Sequence, residues 1–259
     1  MLLWVLSFTI LVSSDNSVPI YKYSIINTYK HSSKDYTQGL EYLSNDILIQ
    51  SAGEYGRSRL QKLNFPSMSI IKEYKLDPSF FAEGITILNN KIYQLTWLEK
   101  KMFVYSTDLV LLDVIIIKNP ILQGWGICND GIFLYISDGS SFIYKMDPNS
   151  YKILSSIKVH QGTKYIVSIN ELEWVNGEIW ANIYYSKYFI RINPDNGNIL
   201  AWVNLTGLEA NEDAFWYGGY VLNGIAVYDQ KIFVTGKCWE HLYEIELVYY
   251  QNITDVPKY

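Results

Sequence analysis

A chain of 259 residues, 49% hydrophobic and 16% aromatic with 23 tyrosines, carries enough apolar surface for one large all-β domain, since ring-bearing side chains favour a pleated, half-buried surface. Lys and Arg number 21 against 26 Asp and Glu, a formal charge of −5 with no basic cluster, which excludes a nucleic-acid surface built on phosphate contacts. Only three histidines occur, His31, His160 and His241, without ligand spacing, so a zinc catalytic centre lacks its donors.

The first element is an apolar run from Leu2 to Val12, followed by Ser13, Ser14 and Asp15. It is too short to span a bilayer and matches the core of a signal peptide, with Val12 and Ser14 as the small residues ahead of a cleavage point. Residues 1–14 are therefore read as a signal peptide, with an uncleaved anchor or a buried first strand as the alternatives, and 15–259 as a single domain. The chain is expected in the secretory pathway or outside the cell, with no stable membrane association after cleavage. Two glycosylation acceptor patterns agree with export, Asn204-Leu205-Thr206 and Asn252-Ile253-Thr254. Cys128 and Cys238 either pair in that compartment or remain two free thiols; the sequence leaves both readings open.

Beyond residue 20 the chain repeats. Strand segments are expected at Asn45 to Gly53, Asn89 to Trp97, Asn129 to Asp138, Asn176 to Tyr184 and Asp229 to Lys237, each opened by an Asn- or Asp-led turn. With Ile47, Ile92, Ile132, Ile179 and Ile232 as phase markers, the spacings are 45, 40, 47 and 53 residues. Each is preceded by a second short strand: Thr37 to Leu43, Ala82 to Leu88, Gly124 to Cys128, Asn170 to Val175 and Leu222 to Tyr228. Third strands such as Phe142 to Pro148 and Phe189 to Gly197 follow, and Leu109 to Lys118 reads as a fourth, outer one. No window shows a persuasive helical period. A period of 40 to 50 residues with several strands per unit predicts a five-bladed β-propeller.

Rotation about the propeller axis brings equivalent positions together. The start of each innermost strand is read as Gln38, Glu83, Trp125, Glu171 and Asn223, four of them followed by glycine, with Asn170 beside Glu171. At the far end of the next strand, on the same face, lie Trp97, Tyr184 and Lys237. By default the tryptophans would pack between blades and Lys237 would be a solvated lysine. Their joint placement at one mouth instead predicts a ligand site of rings, carboxamides, a carboxylate and an ammonium. No G-x-S-x-G elbow or P-loop pattern offers a rival chemistry.

These residues carry a resemblance. YTQGL (Tyr36 to Leu40), SAGEYGRSRL (Ser51 to Leu60), FAEGIT (Phe81 to Thr86), QLTW (Gln94 to Trp97), GWGICNDG (Gly124 to Gly131), SDGS (Ser137 to Ser140) and MDP (Met146 to Pro148) are followed by INELEWVNGEIWAN (Ile169 to Asn182), LNGIAV (Leu222 to Val227) and TGKCW (Thr235 to Trp239). In this order, over residues 20 to 247, the sequence resembles the glutamine cyclotransferase family, the plant and bacterial type of glutaminyl cyclase. The resemblance implies a five-bladed propeller that converts N-terminal glutamine of peptides and proteins to pyroglutamate with release of ammonia. It implies Glu83 as acid/base, joined by Lys237 and Asn170, with Gln38, Phe81, Trp97, Trp125, Tyr184 and Tyr36 holding substrate. Tyr36 stands where phenylalanine is usual and Tyr184 where tryptophan is common. No cofactor is expected to be required for catalysis, and the resemblance leaves room for a structural calcium near the axis. The protein is expected to act as a monomer. Two alternatives are a propeller binding module without catalysis and a metal-dependent propeller hydrolase. The latter would need several convergent carboxylates, of which the sequence offers Glu83 and Glu171.

Overall fold

A computed structural model describes residues 17–208 and 221–259. The expected signal peptide, residues 1–14, lies outside the described residues. Within them the regular elements are strands alone. After β1 (Val18–Lys30), the strands β2 (Thr37–Ser44), β3 (Ile47–Ala52), β4 (Arg59–Asn64) and β5 (Ser69–Lys75) pair in order as an antiparallel sheet. A second sheet is β6 (Ala82–Leu88), β7 (Lys91–Thr96), β8 (Lys101–Ser106) and β9 (Leu111–Ile116). A third is β10 (Ile127–Asn129), β11 (Leu134–Ser137), β12 (Phe142–Met146) and β13 (Ile153–Lys158). A short hairpin, β14 (His160–Gln161) and β15 (Lys164–Tyr165), precedes β16 (Ile169–Val175), β17 (Glu178–Ile183), β18 (Tyr188–Ile192) and β19 (Ile199–Asn204). The last strands are β20 (Leu222–Tyr228), β21 (Lys231–Gly236) and β22 (His241–Ile253).

β16 to β22 and β1 share one eight-stranded sheet in the order β16-β17-β18-β19-β1-β22-β21-β20. Its seam is narrow. β1 pairs antiparallel along the whole of β22, from Val18↔Ile253 to Lys30↔His241, but meets β19 through only Ile20↔Trp202 and Tyr21↔Val203, in parallel. The amino-terminal strand thus supplies the outer strand of the unit β20–β21–β22, and the two ends of the chain lock one another. The innermost strands β2, β6, β10, β16 and β20 neighbour one another in a cycle. The result is an all-β, propeller-like architecture.

Local chemistry explains the hairpins. Asn89-Asn90, Asn176-Gly177 and Asp229-Gln230 each place two successive residues at positive φ, the turn whose twist matches two-residue hairpins and which Asn, Asp and Gly tolerate best. Inner strands are buried on both faces, as in β6 and β16, whereas the outer β5 and β9 are largely exposed. The core therefore lies between sheets. Leu95, Met102, Ile121 and Ile136, for example, fill the space between the second and third.

Register corrects two phase markers. Leu40, Ile85, Ile127, Leu172 and Ile225 oppose Gln50, Gln94, Ile136, Ala181 and Val234. The equivalent buried residues two positions earlier are Leu48, Ile92, Leu134, Ile179 and Ile232. Ile47 is thus one residue out of phase and Ile132 two. Ile132 is 64% exposed in a turn held by Asp130, whose Oδ1 accepts the Ile132 and Phe133 amides. An apolar residue in a turn is indistinguishable from a strand residue by type alone.

Register also moves Glu171. Asn170, not Glu171, is the equivalent of Gln38, Glu83, Trp125 and Asn223, and Glu171 occupies the position that is glycine in the other four. Glycine is required where inner strands nearly touch: a Cβ on Gly84 would lie 2.7 Å from the Trp125 carbonyl oxygen. Glu171 instead reaches β20, where its Oε2 accepts the Ile225 amide at 3.0 Å. Glu41 and Glu173 do the same for Ile87 and Val227, each at 3.0 Å. These carboxyls satisfy amides on inner strand edges that have no further strand to pair with. Burial raises all three above the usual carboxyl range, Glu41 to about 8. Cys128 and Cys238 are both free thiols.

Candidate active site

The mouth of the ring is shaped by irregular pairing. Register shifts interrupt the ladder at Thr37/Gly39, Ala82/Ile85, Ile169/Leu172 and Leu222/Ile225, so Gln38, Glu83, Asn170 and Asn223 sit on bulged backbone. A bulge re-aims its side chain out of the pleat, here toward the axis. The same repeat position in four sheets therefore delivers four polar groups to one end.

A cavity of about 190 Å³ opens there, lined by Tyr36, Gln38, Phe81, Glu83, Trp97, Trp125, Asn170, Tyr184 and Lys237. All nine residues expected at the site from sequence meet in it. Trp97 and Trp125 face the cavity rather than filling an inter-sheet gap. Phe81 is the hub of one wall, edge-to-face with Tyr36 at 6.2 Å, Tyr55 at 5.3 Å and Trp97 at 5.6 Å. Trp125 and Tyr184, 5.5 Å apart and nearly perpendicular, form the other. The phenols of Tyr36, Tyr184 and Tyr185 are hydrogen-bonded in sequence, and burial raises the Tyr184 hydroxyl to about 12.

Lys237 is 2% exposed, not solvated. A Cβ at Gly236 would collide with the Trp239 indole, and Cys238, at φ 59°, donates its amide to the Asp35 carbonyl at 2.8 Å. This tight turn points Lys237 inward. Its Nζ lies 4.7 Å from the Tyr36 ring centroid and 4.6 Å from that of Tyr184, so two ring faces replace part of its lost hydration. Burial lowers the Lys237 amine to about 8, opposed by the nearby Glu83 charge.

Glu83 is 5% exposed, deeper than a carboxylate on an open mouth. Burial raises it well above the ordinary range, Lys237 pulls it back and the Glu99 charge pushes it further up. One carboxyl pushed up and one amine pushed down in the same cavity are the pattern of acid–base sites.

Sequence reasoning missed the supports. Gln123, adjacent to the quoted Gly124 motif, accepts the Trp97 indole N–H at 2.5 Å and sets the ring's orientation. Tyr55 lies inside a quoted motif but was not singled out; it packs on Phe81 and donates to Glu99 at 2.7 Å. Neither residue shares the repeat position that pointed to the others. Among the described residues no three His, Cys, Asp or Glu side chains converge as metal ligands.

Fold and site together define a propeller-like, all-β protein with a ring-walled cavity that buries a carboxyl beside an amine. The glutamine cyclotransferase family model matches residues 2–247, and the chain belongs to that family. It is 37% identical over 239 residues to glutaminyl-peptide cyclotransferase of Arabidopsis thaliana, a match covering 91% of this chain and 74% of the relative. The crystal structure of Myxococcus xanthus glutaminyl cyclase superposes with a TM-score of 0.83 at 28% identity, covering 90% of this chain and 100% of that one. Family membership and the curated relative make this chain an enzyme.

Proposed function

We propose that the chain is a glutaminyl-peptide cyclotransferase acting on peptides and proteins with N-terminal glutamine. The observation that carries this reading is the enclosure of Glu83 and Lys237 with the aromatic walls of one small cavity. The substrate's neutral α-amine attacks its own γ-carboxamide carbon, forming the lactam C–N bond while the carbonyl electron pair moves onto oxygen. Glu83 accepts the proton released by the amine and returns it to the amide nitrogen, the C–NH₂ bond breaks, and ammonia leaves. Lys237 and Gln38 donate to the oxygen as its charge develops. The rings of Phe81, Trp97, Trp125, Tyr36 and Tyr184 hold the folded-back conformer, which is where an intramolecular closure gains most.

Five inner strands that neighbour one another in a cycle, three in four-stranded sheets and two in the eight-stranded sheet, support a five-bladed propeller. The leader-like run at residues 1–14 and an exposed Asn252 support export and glycosylation there, and the protein is proposed to act as a monomer. The axis does not fit a calcium site built on side-chain carboxylates: no metal-ligand group converges among the described residues, and Glu41, Glu171 and Glu173 each cap a backbone amide. Cyclisation is therefore proposed to need no cofactor.

Incubation of the purified protein with a Gln-initiated peptide, followed by mass spectrometry and ammonia release, tests the reading. The expected result is one ammonia lost per peptide, far faster than spontaneous closure and unaffected by dialysis against a chelator. A folded protein that binds the peptide without accelerating closure would return it to a non-catalytic binding module. Activity lost to the chelator and restored only by metal would favour the hydrolase-like alternative.

A further inference from the structure

Behind the cavity wall, Asn223 is fully buried and is not one of the nine lining residues. Its Nδ2 donates to the Thr37 carbonyl at 2.9 Å and to Gln38 Oε1 at 3.4 Å, and its Oδ1 accepts from Asn170 Nδ2 at 2.9 Å. Carboxamide nitrogen and oxygen are normally told apart only through their neighbours. Here one neighbour is decisive. A backbone carbonyl only accepts, so the atom of Asn223 facing Thr37 must be the nitrogen, and its oxygen must face Asn170. Asn170 can then present only its own nitrogen to Asn223, and Gln38 only its oxygen. The polarity of three side chains follows from the Thr37 carbonyl.

We infer that Asn223 is a positioning residue that holds Asn170 with its carbonyl oxygen, and Gln38 with its amide nitrogen, available to the substrate. The structure shows the consequence. Asn170 Oδ1 is buried with no hydrogen-bond partner, an arrangement that is costly unless a ligand supplies a donor. The Trp125 indole nitrogen is likewise buried and unpartnered, and calls for an acceptor. Ser137 Oγ holds the Asn170 main chain by donating to its carbonyl at 2.7 Å, so neither the backbone nor the side chain of Asn170 is free to turn. The cavity is thus divided. Asn170 Oδ1 and Glu83 receive N–H groups, which suits the attacking α-amine; Gln38 Nε2, Trp125 Nε1 and Lys237 give hydrogens, which suits the γ-carbonyl oxygen. The direction of the carboxamide chain stands on geometry alone, whereas the assignment of amine and carbonyl rests on the proposed cyclotransferase reading.

The test uses Asn223→Leu, which keeps the branched shape but removes all three hydrogen bonds, and Asn223→Ser, which is too short to span Thr37 and Asn170. In a folded variant, kcat on a Gln-initiated peptide should fall by about 10- to 100-fold, the scale of a misplaced reacting group, with KM much less affected. In an Asn170→Ala, Gln38→Ala background the same substitution should cost only about twofold, because its effect passes through those two side chains. Wild-type kcat in both folded variants, or an undiminished cost in that double background, overturns the inference. A readout independent of activity is hydrogen exchange of the Asn170 side-chain amide by NMR, expected to be protected in wild type and to lose protection in the variants. Unprotected wild-type protons would also overturn it. If wild type itself cyclises nothing, the functional reading fails, and the exchange measurement still decides the carboxamide chain.

Discussion

Replacement of Glu83 by glutamine removes the one buried carboxyl of the cavity while keeping its shape. The structure sets what should follow. Burial raises the Glu83 carboxyl and the Lys237 charge opposes that rise; a carboxylate can accept and return a proton, whereas a carboxamide does neither. Loss of a positioned acid/base costs about 10²- to 10⁴-fold, or roughly 2.7 to 5.4 kcal/mol in barrier height at 1.36 kcal/mol per tenfold. Folding should survive, because a neutral isostere replaces a group whose ionised form burial already disfavours; the melting temperature should stay level or rise. A second effect is specific to this geometry. Glu83 holds the Lys237 amine up against burial, so Glu83→Gln should move that amine below about 8. Steady-state rates of ammonia release on a Gln-initiated peptide, measured from roughly pH 6 to 10 for wild type and variant, with circular dichroism as folding control, check both points. A folded Glu83→Gln protein cyclising near the wild-type rate would refute the proton-transfer role.

Lys237→Met should lower turnover by roughly 10²-fold or more with little change in melting temperature, since it deletes one charged donor. Lys237→Arg keeps a cation at all accessible pH values, so the ratio of wild-type to variant rate should decline as pH rises through about 8; a flat ratio would show that the charge on Lys237 is not used. The carboxyls of Glu41, Glu171 and Glu173 are raised in the folded state, so the stability they contribute is present below the unfolded value of 4.5 and lost as pH rises, for Glu41 through about 8. Thermal denaturation should therefore give a higher melting temperature near the acid end of this window than at its alkaline end, and Glu173→Gln should flatten that slope; an unchanged slope would place the cost elsewhere. Gln123→Ala frees the Trp97 indole and should raise KM more than it lowers kcat, measured with the same peptide, if Trp97 binds substrate rather than merely packing.

What the sequence determined by itself was whatever depends on neighbours a few residues apart. Alternating apolar positions and Asn- or Asp-led turns mark the hairpins because strand pleat and positive φ are local properties, and their recurrence every 40 to 50 residues implies stacked sheets around an axis. The same recurrence brought Gln38, Glu83, Trp125 and Asn223 to one mouth, since rotation relates equivalent positions. Tyr36 and Phe81 came only from the family resemblance, because each stands two residues before the repeat position that was read, ahead of Gln38 and Glu83.

Tertiary structure decided everything that hangs on register and on groups far apart in the chain. An apolar side chain in a turn has the same type as one in a strand, which is why Ile132 passed for Leu134, and only the pairing register separates Asn170 from its neighbour Glu171. Burial of Lys237 depends on Trp239 packing against Gly236 and on Asp35, far earlier in the chain, accepting the Cys238 amide, a long loop whose closure entropy the ring must offset. β1 completing the sheet of β22 is equally invisible locally, because a strand's sequence does not name its partner. The direction of the Asn170–Asn223–Gln38 chain is set by a carbonyl oxygen on Thr37, and a main-chain acceptor is common to every residue type; only the fold could aim that one.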